Sequence, residues 1–87
     1  MKYTLVKRNK STIAPDHRQF VTWMRRHDMQ HFESNEAFMD TYAHRKATFE
    51  DIKLRHSSEE EFVEDLIAHG LLKIEETRKF GFFGNFS

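Results

Sequence analysis

Ser58 to Leu72 reads SEEEFVEDLIAHGLL. Ser58 stands three residues before Glu61, the spacing of a capping box. In that motif the Ser hydroxyl accepts the Glu61 backbone N–H and the Glu61 carboxylate reaches back to the N–H of Ser58. Glu59, Glu60 and Glu61 fill the first turn, where the helix dipole favours negative charge. Phe62, Val63, Leu66 and Ile67 recur at helical spacing and form one apolar stripe. Gly70 follows the last turn, where a left-handed residue closes a helix cheaply, and Leu71 can fold back onto Leu66 or Ile67. Start, face and stop agree on a helix over 59–69. Burial of four such side chains is worth several kcal/mol against about one for the cap, so the stripe holds the helix.

The rest of the chain is read outward from this helix. Its 87 residues suggest one domain, 1–87. Nine Phe, two Tyr and one Trp supply core volume beyond what an apolar fraction of 38% implies. The charged residues balance, and with plentiful aromatics they do not signal disorder. There is no cysteine, which removes disulfides and thiolate zinc sites. No apolar run approaches a membrane span, and the basic N-terminus lacks a signal-peptide core. These features predict a soluble, cytoplasmic protein with no membrane partner.

Lys2 to Lys7 alternates loosely and suits a short strand. Residues 7–12, KRNKST, read as a basic, polar link. Pro15 fits the first position of a helix running to about Asp28, with Phe20, Val21, Trp23, Met24 and His27 at helical intervals and Trp23 as a core anchor. Residues 29–33 read as a connection. Ser34 caps a helix bearing Ala37, Phe38, Met39, Tyr42 and Ala43. Thr48 resembles a further start, followed by Phe49, Ile52 and His56, so that 34–56 is either one bent helix or, the preferred reading, two. Beyond Gly70, residues 72–76 and 79–82 alternate and suggest a small hairpin. The end of the chain, FGFFGNFS over 80–87, either packs over the helices or offers an apolar surface to a partner. The expected fold is mostly α (α+β): three to four short helices with a small β element from the N-terminal strand and the C-terminal hairpin. The expected core is Phe20, Trp23, Met24, Phe38, Tyr42, Phe49, Ile52, Phe62, Leu66 and Ile67.

Phe62-Val63-x-x-Leu66-x-x-x-Gly70-Leu71-Leu72, followed by charged β-type residues, resembles the last helix and wing of a winged-helix domain. The resemblance covers the final third of the chain. It implies a helix that enters the DNA major groove. Groove-reading helices present Arg, Lys, Asn or Gln, whereas this one presents Glu59, Glu60, Glu61, Glu64 and Asp65, a face repelled by phosphate.

Candidate chemistry is sparse. His27-Asp28-Met29-Gln30-His31 places two His at i and i+4, but Asp stands where the zinc-protease motif has Glu, and no third ligand is identifiable, His17 and His56 being the candidates. There is no nucleophile elbow and no glycine-rich phosphate loop. The sequence therefore predicts no catalytic residue, no metal and no cofactor. Charge is more informative. Residues 1–30 hold seven Lys/Arg against two Asp, and the remainder holds seven against twelve Asp/Glu. Either the two halves attract each other within the fold, or they face two partners. The favoured reading is a non-enzymatic protein-binding module (a regulator, inhibitor or adaptor) using acidic Glu60, Glu64 and Asp65 with tail residues Phe82, Phe83 and Phe86. The alternative is a nucleic-acid-binding domain using Lys7, Arg8, Lys10, Arg18, Arg25 and Arg26.

Overall fold

Asp16, Ser34 and Ser58 each hold extended backbone angles and accept the N–H of the third residue onward: Gln19 to Asp16 Oδ1 at 2.8 Å, Ala37 to Ser34 Oγ at 3.1 Å and Glu61 to Ser58 Oγ at 3.2 Å. These N-caps start the three helices of a computed structural model that describes residues 1–76. They are α1 (His17–Arg26), α2 (Asn35–Glu50) and α3 (Glu59–Ala68). Pro15 precedes the cap and does not occupy the first helical position. Only half of the expected capping box forms, because the Glu61 carboxylate lies 3.5 Å from Arg55 instead.

α3 ends as its sequence implies. Gly70 takes φ 72°, its N–H donates to Ile67 O at 3.0 Å, and the Leu71 N–H donates to Leu66 O at 2.9 Å. This is a Schellman closure, with buried Leu71 against buried Leu66.

α2 corrects the division of 34–56. It is one helix through Thr48, ending at Asp51 with φ 56°. No Gly or Pro breaks it, and the Lys46–Glu50 ion pair at 2.6 Å spans the Thr48 turn. Asp tolerates the left-handed conformation that stops it. Residues 51–57 form no regular element, although Leu54 is buried.

The strands β1 (Lys2–Leu5), β2 (Lys10–Ile13) and β3 (Leu72–Glu75) form an antiparallel sheet in the order β2-β1-β3. Leu5 lies opposite Lys10 on one side and Leu72 on the other. β2 corrects the reading of 7–12 as a link. Val6 to Asn9 make a four-residue turn closed by Asn9 at φ 52°. The strand it leads into is an exposed edge of Lys, Ser and Thr, so no apolar alternation announced it. The expected N-terminal strand stops at Leu5. The described partner of β3 is β1, and the other arm of the expected C-terminal hairpin, 79–82, lies outside the described residues. The result is an α+β fold of three helices and a three-stranded sheet among the described residues.

The core lies between the sheet and the helices. Tyr3 stacks on Phe20 at 4.5 Å between ring centroids, and its buried hydroxyl meets His17 Nδ1 at 2.9 Å. Phe62 of α3 meets Tyr42 and Phe38 of α2 edge-on. Of the ten expected core residues, Phe20, Met24, Phe38, Tyr42, Phe62 and Leu66 are buried, while Trp23 and Ile52 sit half-buried at the margin. Phe49 is 81% exposed and Ile67 43% exposed. An uninterrupted α2 is about 24 Å long against about 15 Å for each neighbour, and Phe49 falls in its last turn. Ile67 stands about 100° round the helix from Leu66.

The hairpin turn is tied to α2 by Glu50, which takes Lys7 at 2.7 Å and Lys46 at 2.6 Å. The hydrogen bonds from Lys46 and then Lys7 hold the Glu50 carboxyl down from 4.5 to about 2. Since the folded-state value is depressed, the contact contributes fully above pH ~4.5 and is lost as pH falls through ~2. The Glu50 side-chain carboxyl carbon, followed by NMR, is expected to titrate well below the ordinary Glu value; an ordinary midpoint would refute the contact.

Candidate functional site

The β1–β2 turn brings Arg8 and Lys10 beside the end of α1 and the turn that follows it. His27 is the C-cap of α1. Its Nδ1 lies 2.9 Å from Trp23 O, and since a carbonyl only accepts, Nδ1 carries the proton. The His27 ring covers Trp23 at 4.8 Å, and Trp23 in turn stacks on Phe20.

After the cap, Asp28 accepts the Gln30 N–H at 2.9 Å and Arg45 Nη1 at 3.1 Å, while Arg45 Nη2 donates to Gln30 Oε1 at 3.0 Å. Arg45 reaches across from α2 and also lies over the Phe32 ring. The Asp28 side chain is only 6% exposed. Burial pushes its carboxyl up, but the Gln30 N–H, Arg45 and Arg8 outweigh that and hold it below the ordinary value. Asp28 therefore stays charged and keeps Arg45 in place.

This frame fixes a turn with Met29 at its apex, fully exposed. On one side of the turn is a groove of about 750 Å³ lined by Arg8, Lys10, His27 and Arg45. A slot of about 20 Å³ shares Arg8, Lys10, His27 and Asp28 with this groove and reaches Trp23, Met24, Phe38 and Tyr42. On the other side a second hollow of about 390 Å³ is lined by Arg25, Arg26, His31 and Phe32. Five cationic side chains thus surround one exposed Met. Among the described residues, Arg8, Lys10 and Arg26 make no ion pair.

The six basic positions picked out by sequence are divided by the fold. Arg8, Lys10, Arg25 and Arg26 bracket the Met29 turn. Lys7 is held by Glu50, and Arg18 lies 3.9 Å from Glu59, so attraction between the basic and acidic halves operates at these two points. Arg25 also anchors the α1–α2 connection, donating to Phe32 O at 3.0 Å and Asn35 Oδ1 at 2.9 Å.

The acidic positions look different in three dimensions. Asp65 accepts the Arg55 backbone N–H at 2.8 Å and its guanidinium at 2.8 Å, and Glu64 and Glu61 approach the same guanidinium at 3.4 and 3.5 Å. The Arg55 hydrogen bonds hold the Asp65 carboxyl below its usual range. Glu60 is exposed and makes no ion pair among the described residues. Phe82, Phe83 and Phe86 lie outside the described residues.

Sequence reasoning missed Met29, Gln30, Arg45 and Arg55. Met29 and Gln30 lie in the His27–His31 stretch, which draws notice in the sequence only for its two His; Arg45 and Arg55 lie where there is no motif, and only tertiary placement gathers them. Among the described residues no three His, Asp or Glu side chains group closely enough to hold a metal ion, and no helix is long and apolar enough to cross a membrane. Compared with protein-family models, curated proteins and solved structures, the chain gives no significant match.

Proposed function

We propose that this chain is a small, non-enzymatic protein-binding module, a regulator, inhibitor or adaptor of a larger protein, and that it docks through the end around Met29. One observation carries the reading: a fully exposed Met stands between two hollows lined by Arg8, Lys10, Arg25, Arg26 and Arg45. Met and Arg are among the residue types enriched in protein interfaces. The acidic helix has a lesser part in this reading, because Arg55 already draws on three of its carboxylates.

Affinity capture from native extract tests it. The chain carrying Met29→Ser with Arg8→Glu is expected to lose a defined protein that wild type retains, while Glu60→Lys keeps it. Equal recovery by all three would overturn the assignment of the basic end.

The second reading, nucleic-acid binding, draws on the same bracket of Arg8, Lys10, Arg25 and Arg26. It predicts duplex affinity that falls steeply with salt and is lost on replacing Arg25 and Arg26. If the fold is winged-helix-like, α3 is not its reading helix, because Glu60 and Glu64 face solvent there.

A further inference from the structure

We infer that the groove between the β1–β2 turn and the Met29 turn receives an acidic peptide segment of the partner protein, with its carboxylates on the Arg8–Lys10 side and an apolar side chain against Met29. The inference rests on the protein-binding reading and adds the chemistry of the docked segment.

The polarity of the groove follows from its two walls. The hairpin wall offers Arg8 and Lys10, which make no ion pair among the described residues. The opposite wall offers Arg45, but one of its nitrogens is engaged by Asp28 and another by Gln30. Asp28 is held ionised at the base of that wall. A ligand carboxylate is drawn to the hairpin wall by charge and kept off the Asp28 wall by like-charge repulsion. What the second wall presents instead is the exposed Met29 side chain beside the His27 ring. The volume of about 750 Å³ lies in the range of ligand sites and suits a few residues of extended chain, while the adjoining slot of about 20 Å³ admits nothing larger than a water or a methyl group. An apolar residue therefore lies along the groove and does not enter the slot.

Other anionic occupants fit less well. A nucleic-acid strand wants a continuous cationic track with stacking faces, and among the described residues no Phe, Tyr or Trp ring lines this groove. In a second copy of the chain Glu61, Glu64, Asp65 and Glu50 are already paired, but exposed Glu60 makes no ion pair among the described residues; self-association in sedimentation that is lost in the Arg8→Glu/Lys10→Glu variant would therefore overturn the inference.

The experiment is selection of a random peptide display library on the 87-residue chain and, in parallel, on an Arg8→Glu/Lys10→Glu variant. Both substituted side chains are exposed, and circular dichroism checks that the variant folds. Wild type is expected to enrich peptides that pair Asp or Glu with an aliphatic or aromatic residue. A synthesised winner should bind the variant at least about tenfold more weakly and lose affinity as salt rises, and it should shift NMR signals of Arg8, Lys10 and Met29. Neutral, apolar winners that bind both proteins equally and shift Met29 would overturn the acidic-segment inference and leave the protein-binding reading standing. No enrichment on wild type over the variant would also overturn it. Binding of a generic DNA duplex together with no enriched peptide would overturn both.

Discussion

Replacing Phe62 with Ala is expected to lower the free energy of unfolding by about 3–5 kcal/mol. Phe62 is fully buried in the face of α3 that meets α2, with its ring edge-on to Tyr42 at 5.5 Å and to Phe38 at 6.4 Å. Truncation removes the transfer free energy of the ring, opens a cavity and ends both aromatic contacts. Neither partner can follow inward, because Phe38 and Tyr42 sit on the same rigid helix and also hold each other at 5.6 Å. A domain of this size has roughly 5–15 kcal/mol in total, so the variant should be close to unfolding at physiological temperature. Phe62→Leu keeps most of the volume and should cost less than about 1.5–2 kcal/mol. Urea titrations followed by Trp23 fluorescence measure both. If the Ala variant keeps the wild-type midpoint, the α2–α3 face has been assigned wrongly.

Arg45→Ala is expected to cost about 1–3 kcal/mol, and mostly through the residue it leaves behind. Asp28 is 6% exposed and would retain only the Gln30 N–H as an identified partner. Arg45 itself is 36% exposed, so solvent screens the pair and the loss stays below that of a fully buried one. Asp28→Asn in the Arg45→Ala background should recover part of the stability, making the double-mutant cycle less than additive. The pH response also has a fixed sign. With the Asp28 carboxyl depressed in the folded state, the pair contributes above the ordinary Asp range and is lost as acid takes the carboxyl through its lowered value. Without Arg45 that acid loss should shrink. Strictly additive costs, or an unchanged acid limb, would mean that Arg45 does not hold Asp28.

What could be foreseen from sequence divides along the range of the interaction. The caps of α2 and α3, and the stop after α3, are local: Ser34, Ser58 and Gly70 each act on backbone within three or four residues, so pattern alone placed them. The start of α1 shows how narrow the margin is, since Pro15 and Asp16 are both first-turn residue types and the backbone uses Asp16 as the cap. β2 was hidden because an edge strand with a polar exposed side needs no apolar alternation, and its turn runs through Asn9 with no Gly to mark it. Thr48 misled because a hydroxyl can cap a helix but cannot stop one. Phe49 followed that error to the surface. The basic end was half legible: Arg8, Lys10, Arg25 and Arg26 were candidates by charge, but Arg45 and Met29 join them only when α2 packs across the end of α1. Arg55 lies in a segment without periodicity, so its hold on α3 has no local signature.

The central position of β1 governs the order in which the sheet can assemble. Its hydrogen bonds to β2 close across a four-residue turn, a microsecond event in isolated hairpins. Its bonds to β3 join Leu5 to Leu72 and Lys2 to Glu75, with all three helices between them. Closing so long a loop has an entropic cost that the first strand–strand contacts do not repay, so docking of β3 waits on helix packing. Until then β1 presents an unpaired edge carrying Tyr3 and Leu5 on its core face, the kind of edge that recruits other chains. The topology thus predicts a sheet nucleated early and completed last, with contacts between distant parts of the chain, more than helix formation, setting the folding rate.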